Sequence, residues 1–326
     1  MILCIVDGMN HKGFQIEKYP WMSRMAEEGG RGQVYTHRPG EPLDTAACVA
    51  RLLGERPVCR RGYLEALGAG IPVAAGDTVF RGTWLALDGK GRVTGLSHGS
   101  PAFEAEGYWS LGGYRALLVL PGKHESRTPE PHNAVGELAE RLLPREDEAL
   151  ARIVRSSMDG RHMLAPWGGA EVVKPKPLPY TGVIVTGTGV LLGLARAYGL
   201  RAVIPPDATG DVDTDLEAKA AAALELCGSY DVTVLHINGA DEAGHRRNLR
   251  EKESFIQKLD EIILKKIYQS GRQVLLCSDH GTEPETGAHS DGPQPLVTYG
   301  WGRQGELGPM EGGRLLKEAG QWQKRL

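Results

Sequence analysis

Three carboxylates and three imidazoles stand where short apolar runs of the chain end. Asp7 follows Ile2-Leu3-Cys4-Ile5-Val6, and Asp241 and His245 follow the run from Val232 to Ile237. Asp279 and His280 follow Val274-Leu275-Leu276-Cys277, and His289 returns nine residues later on a Gly/Pro-rich segment. Asp241 and His245 are four apart, so one helical turn puts both on one face. Carboxylate combined with imidazole suits Zn, Mn or Fe better than Ca. The six groups are the inventory for two divalent cations. Two such ions about 3.5–4 Å apart can clamp a transferring phosphoryl group and lower the cost of charge on its attacking and leaving oxygens. One of these histidines alone would read as a satisfied loop residue. Six coincident groups in acid/imidazole pairs read as a metal centre.

The elements that must position them follow from the pattern. Beyond residue 180 the chain alternates strands (Val183–Val185, Ala202–Ile204, Val232–Ile237, Val274–Cys277) with helices (Leu191–Tyr198, Leu216–Leu226, Glu251–Lys266). That alternation indicates βαβ units and a parallel sheet. In an open α/β sheet, ligands collect beyond the carboxyl ends of the strands. Asp7 must join the C-terminal ligands, so Ile2–Val6 belongs to the same sheet, followed by helices at Trp21–Glu28 and Asp44–Leu53, the second N-capped by Asp44.

The middle of the chain differs. Two apolar-rich runs, 80–87 and 92–96, flank Asp88-Gly89-Lys90-Gly91, a strong hairpin signal. A strand at Tyr114–Leu120 and an amphipathic helix at Asn133–Leu143 complete a small α+β insert. The reading is a mostly parallel α/β core formed by 1–75 and 160–326, interrupted by an inserted domain at 76–159. Gly187-Thr188-Gly189 lacks the third glycine of a dinucleotide loop, Leu192 standing there, and reads as a tight strand-to-helix turn. Asp211-Val212-Asp213-Thr214-Asp215 lacks the glycine and terminal Glu of a calcium loop and reads as a helix cap.

A net charge of −3 argues against a nucleic-acid binder with a dominant basic face. The five cysteines are scattered and form no CxxC pair, which suits a reducing cytoplasm. The longest apolar stretch, Gly182 to Ala195, is broken by glycines and threonines and is too short for a membrane span of about 20 residues. No signal-peptide pattern opens the chain.

At these residues the chain resembles the archaeal-type 2,3-bisphosphoglycerate-independent phosphoglycerate mutases of the alkaline phosphatase superfamily. The resemblance is carried in order by the segments 61–71 and 76–81, Ala208-Thr209-Gly210 with Asp213-Thr214-Asp215, His236 with Asp241–His245, and Ser278–His280 with Ala288-His289-Ser290. It implies a phosphatase-like core with an inserted cap, a small phosphorylated substrate, and a glycolytic reaction moving a phosphoryl group between the 2- and 3-hydroxyls of glycerate through a phosphoenzyme. It also implies two ions, Mn2+ or Zn2+, one on Asp7, Asp279 and His280, the other on Asp241, His245 and His289. Arg61, Arg81 and Arg115 would grip the anionic substrate, since guanidinium matches carboxylate and phosphate bidentately.

The family's nucleophilic serine is replaced. In Pro42-Leu43-Asp44-Thr45-Ala46, Leu43 stands in the serine's place. Thr45 is the nearest hydroxyl, and Thr45 and Asp44 are the catalytic candidates. Two residues along a helix is a rotation of about 200°, so Thr45 serves only if the loop shifts its register. Asn238 replaces a usual lysine and Pro121 a usual arginine. Three readings stay open: a mutase or phosphatase using Thr45 or metal-activated water, a related enzyme on an altered phosphorylated or sulfated substrate, and a non-catalytic metal and ligand binder.

Overall fold

The structure, a computed structural model, describes residues 1–54, 60–129, 134–302 and 304–323. In chain order its elements are β1 (Ile2–Val6), α1 (Pro20–Glu28), β2 (Gly30–Tyr35), α2 (Thr45–Leu52), α3 (Arg61–Ala69), β3 (Thr78–Leu87), β4 (Val93–Leu96), β5 (Tyr108–Ser110), β6 (Arg115–Leu120), α4 (Glu148–Ser156) and β7 (His162–Glu171). Then follow β8 (Gly182–Val185), α5 (Gly189–Ala197), β9 (Arg201–Val203), α6 (Leu216–Leu226), β10 (Val232–Ile237), α7 (Gly239–His245), α8 (Leu249–Leu259), α9 (Lys265–Gln269), β11 (Val274–Cys277), β12 (Gly281–Glu283), β13 (Ala288–Ser290) and β14 (Gln294–Tyr299), with two short strands and a helix to the end.

The chain divides into two compact units, Met1–Val58 with Lys176–Leu326, and Cys59–Pro175. The second unit is wider than the 76–159 read from the sequence, because it takes in α3 and β7. Strand β7 pairs with β3 from Thr78↔Glu171 to Ala86↔His162, and a strand cannot be parted from the sheet that satisfies its backbone.

The first unit is built on a nine-stranded sheet in which β9, β8, β10, β1 and β11 run parallel, while β14 and β2 extend it antiparallel. Strands β1, β8, β10 and β11 are buried on both faces and are therefore largely apolar along their length rather than alternating. Strand β1 lies between β10 and β11, with Val6 beside Ile237 and Ile5 beside Cys277. Three ends that are far apart in sequence are thereby neighbours. Helices α1, α6 and α8 cover the sheet through Met22, Met25, Ala220, Ala223, Ile256 and Leu259. Between α8 and α9 the helix widens into one π turn, Asp260–Leu264, and the Asp260 carboxylate accepts from the Trp21 and Met22 amides at the start of α1.

The second unit holds an antiparallel sheet ordered β5-β6-β3-β7, with β4 also on β3. The Asp-Gly hairpin forms as read. Asp88 Oδ1 accepts from the Lys90 and Arg92 amides, 2.8 Å each. The helix expected at Asn133–Leu143 does not form over the described residues 134–143, which hold turns and 3-10 backbone at Ala134 and Ala139–Leu142; Asn133 lies outside the described residues. Gly136 adopts φ +89°, and the Gly136 and Ala139 amides donate to Val93 and Gly91 of the hairpin instead of to their own turn. The helix of this region is α4, where Asp147 accepts from the Leu150 amide as N-cap.

Helix α6 carries a fully buried Lys219 whose ammonium donates to the Thr209 carbonyl at 3.0 Å. Burial lowers its pKa from 10.5 to about 8. Between those values the unfolded chain holds a proton that the folded chain has released, so stability rises with pH across that window. Urea unfolding at pH 8 and pH 10 should show this rise in the wild type and its loss in Lys219→Met.

Candidate metal centre

The parallel order β10-β1-β11 delivers Asp7, helix α7 and the Asp279-His280 turn to one place. Asp7 and Asp279 are fully buried, and Asp241 nearly so. His280 Nε2 is 3.3 Å from Asp7 Oδ1 and 3.5 Å from Asp279 Oδ2. His245 Nε2 is 3.2 Å from Asp241 Oδ2 and 3.1 Å from His289 Nε2, which is itself 3.6 Å from Asp241 Oδ1. The ligand atoms of Asp7, Asp279 and His280 converge within 4.8 Å, as do those of Asp241, His280 and His289. His280 therefore stands between the two groups. All six groups singled out in the sequence are together.

The donor set fits divalent cations. Each imidazole gives Nδ1 to a main-chain carbonyl: His245 to Gly287 at 2.8 Å, His280 to Gly281 at 3.3 Å, and His289 to Leu43 at 2.9 Å. A carbonyl only accepts, so Nδ1 carries the hydrogen and the neutral ring presents a lone pair at Nε2. Three such lone pairs face the carboxylates. Asp7 Oδ1 and Asp279 Oδ2 are buried without a hydrogen-bond partner. Donor atoms on a tetrahedral zinc, each about 2.0–2.1 Å from the ion, sit about 3.4 Å apart, close to these separations.

Electrostatics point the same way. Burial, then the neighbouring charges of Asp279 and Asp241, push the Asp7 pKa well above the carboxylate range, and burial raises Asp279 as well. Burial also opposes ionisation of Asp241, but the hydrogen bond from His245 and the surrounding imidazoles bring it below its ordinary value. Asp241 in turn raises His245 to about 9, so a proton occupies its Nε2 where no cation does. Metal binding displaces that proton.

Thr45 lies in this cluster. Its hydroxyl donates to Asp7 Oδ2 at 3.1 Å and is 3.5 Å from His280 Nε2. The 200° rotation assumed a helix running through Asp44. Instead Asp44 is extended (φ −140°, ψ 161°) and caps α2 by accepting from the Ala47 amide at 2.8 Å, so Thr45 opens the helix. The cap uses Asp44 Oδ1. Leu43 contributes only its carbonyl, to His289. The loop is pinned by Glu41, which forks with the buried Arg51 of α2.

The sequence reading gave no role to His236 or Thr282. His236, fully buried inside the apolar run of β10, places Nε2 3.2 Å from Asp7 Oδ2, and burial lowers its pKa to about 3, leaving it neutral. A single imidazole in an otherwise apolar strand was the available signal. Thr282 Oγ1 donates to Asp241 Oδ1 at 2.5 Å.

Arg61, Arg81 and Arg115 belong to the second unit and cluster there. Glu65 Oε1 is 2.9 Å from Arg61 and 3.2 Å from Arg81. The Arg81 guanidinium lies over the Trp167 ring at 5.2 Å. Burial first, then the charges of Arg61 and Arg115, lower the Arg81 pKa, and its buried Nε has no hydrogen-bond partner.

A metalloenzyme-superfamily family model matches residues 181–321, and one for 2,3-bisphosphoglycerate-independent phosphoglycerate mutase matches residues 26–108. The mutase of that name from Methanococcus maripaludis is 30% identical over 92% of this chain and 88% of its own length. The chain belongs to the 2,3-bisphosphoglycerate-independent phosphoglycerate mutase family. A relative from Archaeoglobus fulgidus is 28% identical over 91% of the chain and 88% of its own length. Among solved structures, the PH0037 protein of Pyrococcus horikoshii superposes with a TM-score of 0.72 at 22% identity, covering 100% of this chain and 97% of its own. The cofactor-independent phosphoglycerate mutase of Thermoplasma acidophilum gives 0.58 at 17%, covering 99% of each chain. Family membership makes this chain a metalloenzyme, with an α/β fold shared by those structures. Among the described residues no helix is long and apolar enough to cross a membrane.

Chelator-treated protein titrated with Mn2+ or Zn2+ should gain thermal stability, about 2.7 kcal/mol at a hundredfold excess over Kd. Asp279→Asn should lose most of that gain in scanning fluorimetry.

Proposed function

We propose that this chain transfers phosphoryl groups on a small phosphomonoester, 2- and 3-phosphoglycerate being the first pair to test, with Thr45 as nucleophile in place of the family's serine. The observation that carries this is the Thr45 hydroxyl, 3.1 Å from Asp7 Oδ2 inside the cluster of carboxylates and imidazoles. Leu43 offers no lone pair on its side chain. Thr45 offers one at the start of a helix, where the positive end of the helix dipole favours an anionic oxygen.

Asp7, Asp279 and His280 would hold one divalent cation, and Asp241, His245 and His289 a second, Mn2+ or Zn2+. When bound, such ions lower the cost of negative charge on attacking and leaving oxygens. In the transfer, Thr45 Oγ1 forms a bond to phosphorus and its proton leaves along the hydrogen bond to Asp7. The ester P–O bond breaks, and the departing oxygen takes a proton as glycerate's hydroxyl. Return of the phosphoryl group from Thr45 to the other hydroxyl completes the isomerisation and restores the threonine. Return to water instead completes hydrolysis. Arg61, Arg81 and Arg115 are proposed as the anion-binding groups of their own unit. The four described cysteines, all free and buried, support a reducing cytoplasmic setting.

Mn2+-loaded protein should interconvert the two phosphoglycerates, and acid-quenched turnover should yield a peptide carrying phosphothreonine at Thr45. Thr45→Ala should lower kcat by about 10³-fold or more, since loss of a nucleophile removes a covalent step, while Thr45→Ser should retain activity. Undiminished turnover in Thr45→Ala would falsify the assignment and point to attack by water.

A further inference from the structure

Lys252, in the first turns of α8, is a fully buried charge that the proposed chemistry does not use. Its ammonium has three hydrogens and three acceptors, all main-chain carbonyls: Gly8 at 2.5 Å, Thr282 at 2.6 Å and Asn10 at 3.4 Å. Among the described residues no carboxylate lies within 4.0 Å of it. A buried cation with only neutral partners is costly unless something fixes the need for it. The identity of the acceptors supplies the reason.

Gly8 is the residue after Asp7, and Asn10 continues the same turn. Thr282 sits in β12, the strand whose partner β13 carries His289, with Thr282 paired opposite His289. Thr282 also bonds the Asn10 carbonyl through its amide and Asp241 through its hydroxyl. Helix α8 itself follows α7, which carries Asp241 and His245. One side chain therefore ties the Asp7 turn to the His289 hairpin from the helix that succeeds the Asp241/His245 helix. The approach is close: a Cβ on Gly8, at φ +63°, would lie 2.7 Å from both Asp241 Cα and Thr282 Oγ1. Burial lowers the Lys252 pKa to about 8, while Asp241, Glu283 and Asp7 act in the opposite sense.

We infer that Lys252 is a positioning residue of the metal centre, a strut that holds the Asp7 turn and the His289 hairpin at their mutual spacing before cations arrive. This inference rests on the metal-centre reading of the same site. Replacing it with a side chain of similar length and no donors takes the ammonium away from the buried Gly8 and Thr282 carbonyls at that junction, while the Asn10 carbonyl keeps the Thr282 amide. The hairpin then moves independently of Asp7, and metal affinity falls, as when the outer supports of metal ligands are removed.

The test uses the full chain, comparing wild type with Lys252→Met and Lys252→Gln, the second keeping one amide donor in case the first does not fold. Calorimetric titration with Mn2+ should show affinity reduced about 10–100-fold in Lys252→Met, with a smaller loss in Lys252→Gln. Amide hydrogen exchange by mass spectrometry should show faster exchange confined to peptides covering 8–10 and 281–290. Unchanged or tighter Mn2+ binding in a folded variant overturns the strut, as does exchange that accelerates uniformly across the chain. If the wild type binds no Mn2+ at all, the metal-centre reading and this inference fall together. If it binds and the variants bind equally, only the inference falls.

Discussion

The arrangement depends on the crowding of three carboxylates at the ends of three adjacent parallel strands. Asp7 and Asp279 are each wholly buried, and each leaves an oxygen without a donor. Ionised carboxylates in such a place are stable only when cations share it. His245 donates through Nε2 to Asp241, but Asp7 Oδ1 and Asp279 Oδ2 receive no donor. Divalent cations meet both demands at once, accepting the imidazole lone pairs and balancing the carboxylates.

What makes the crowding possible is the insertion of β1 between β10 and β11. An N-terminal strand that pairs with two C-terminal ones closes the sheet around its first residues, and the loops that leave it share one edge. Apart from His289 in the short strand β13, the ligands come from turns and from a single helical turn rather than from the parallel strands. Their orientation is therefore set by main-chain carbonyls at Gly281, Gly287 and Leu43, and by the hydroxyl of Thr282. Leu43, which cannot act through its side chain, still orients His289 through its backbone.

The location of Thr45 follows from one local feature of the backbone. Asp44 stays extended and caps α2, so the helix opens one residue after it and Thr45 enters the cluster. The Glu41–Arg51 fork fixes the preceding loop against the same helix. A polar side chain two residues along would have been turned away had the helix begun earlier. The choice between those two geometries rests on a single cap.

The sequence by itself determined the six candidate ligands, the parallel α/β core and the Asp88 hairpin, because strand ends, βαβ alternation and turn chemistry are encoded within a few residues. It did not reveal β2, β7 or β14, whose pairing depends on partners far along the chain, nor that the backbone of 134–139 would serve the hairpin rather than a helix. Tertiary structure alone decided that Thr45 reaches Asp7, that His236 stands beside it, and that Lys252 joins the Asp7 turn to β12. These are contacts across 30 to 244 positions of sequence. Local pattern carries no information about which distant backbone will stand within hydrogen-bonding reach.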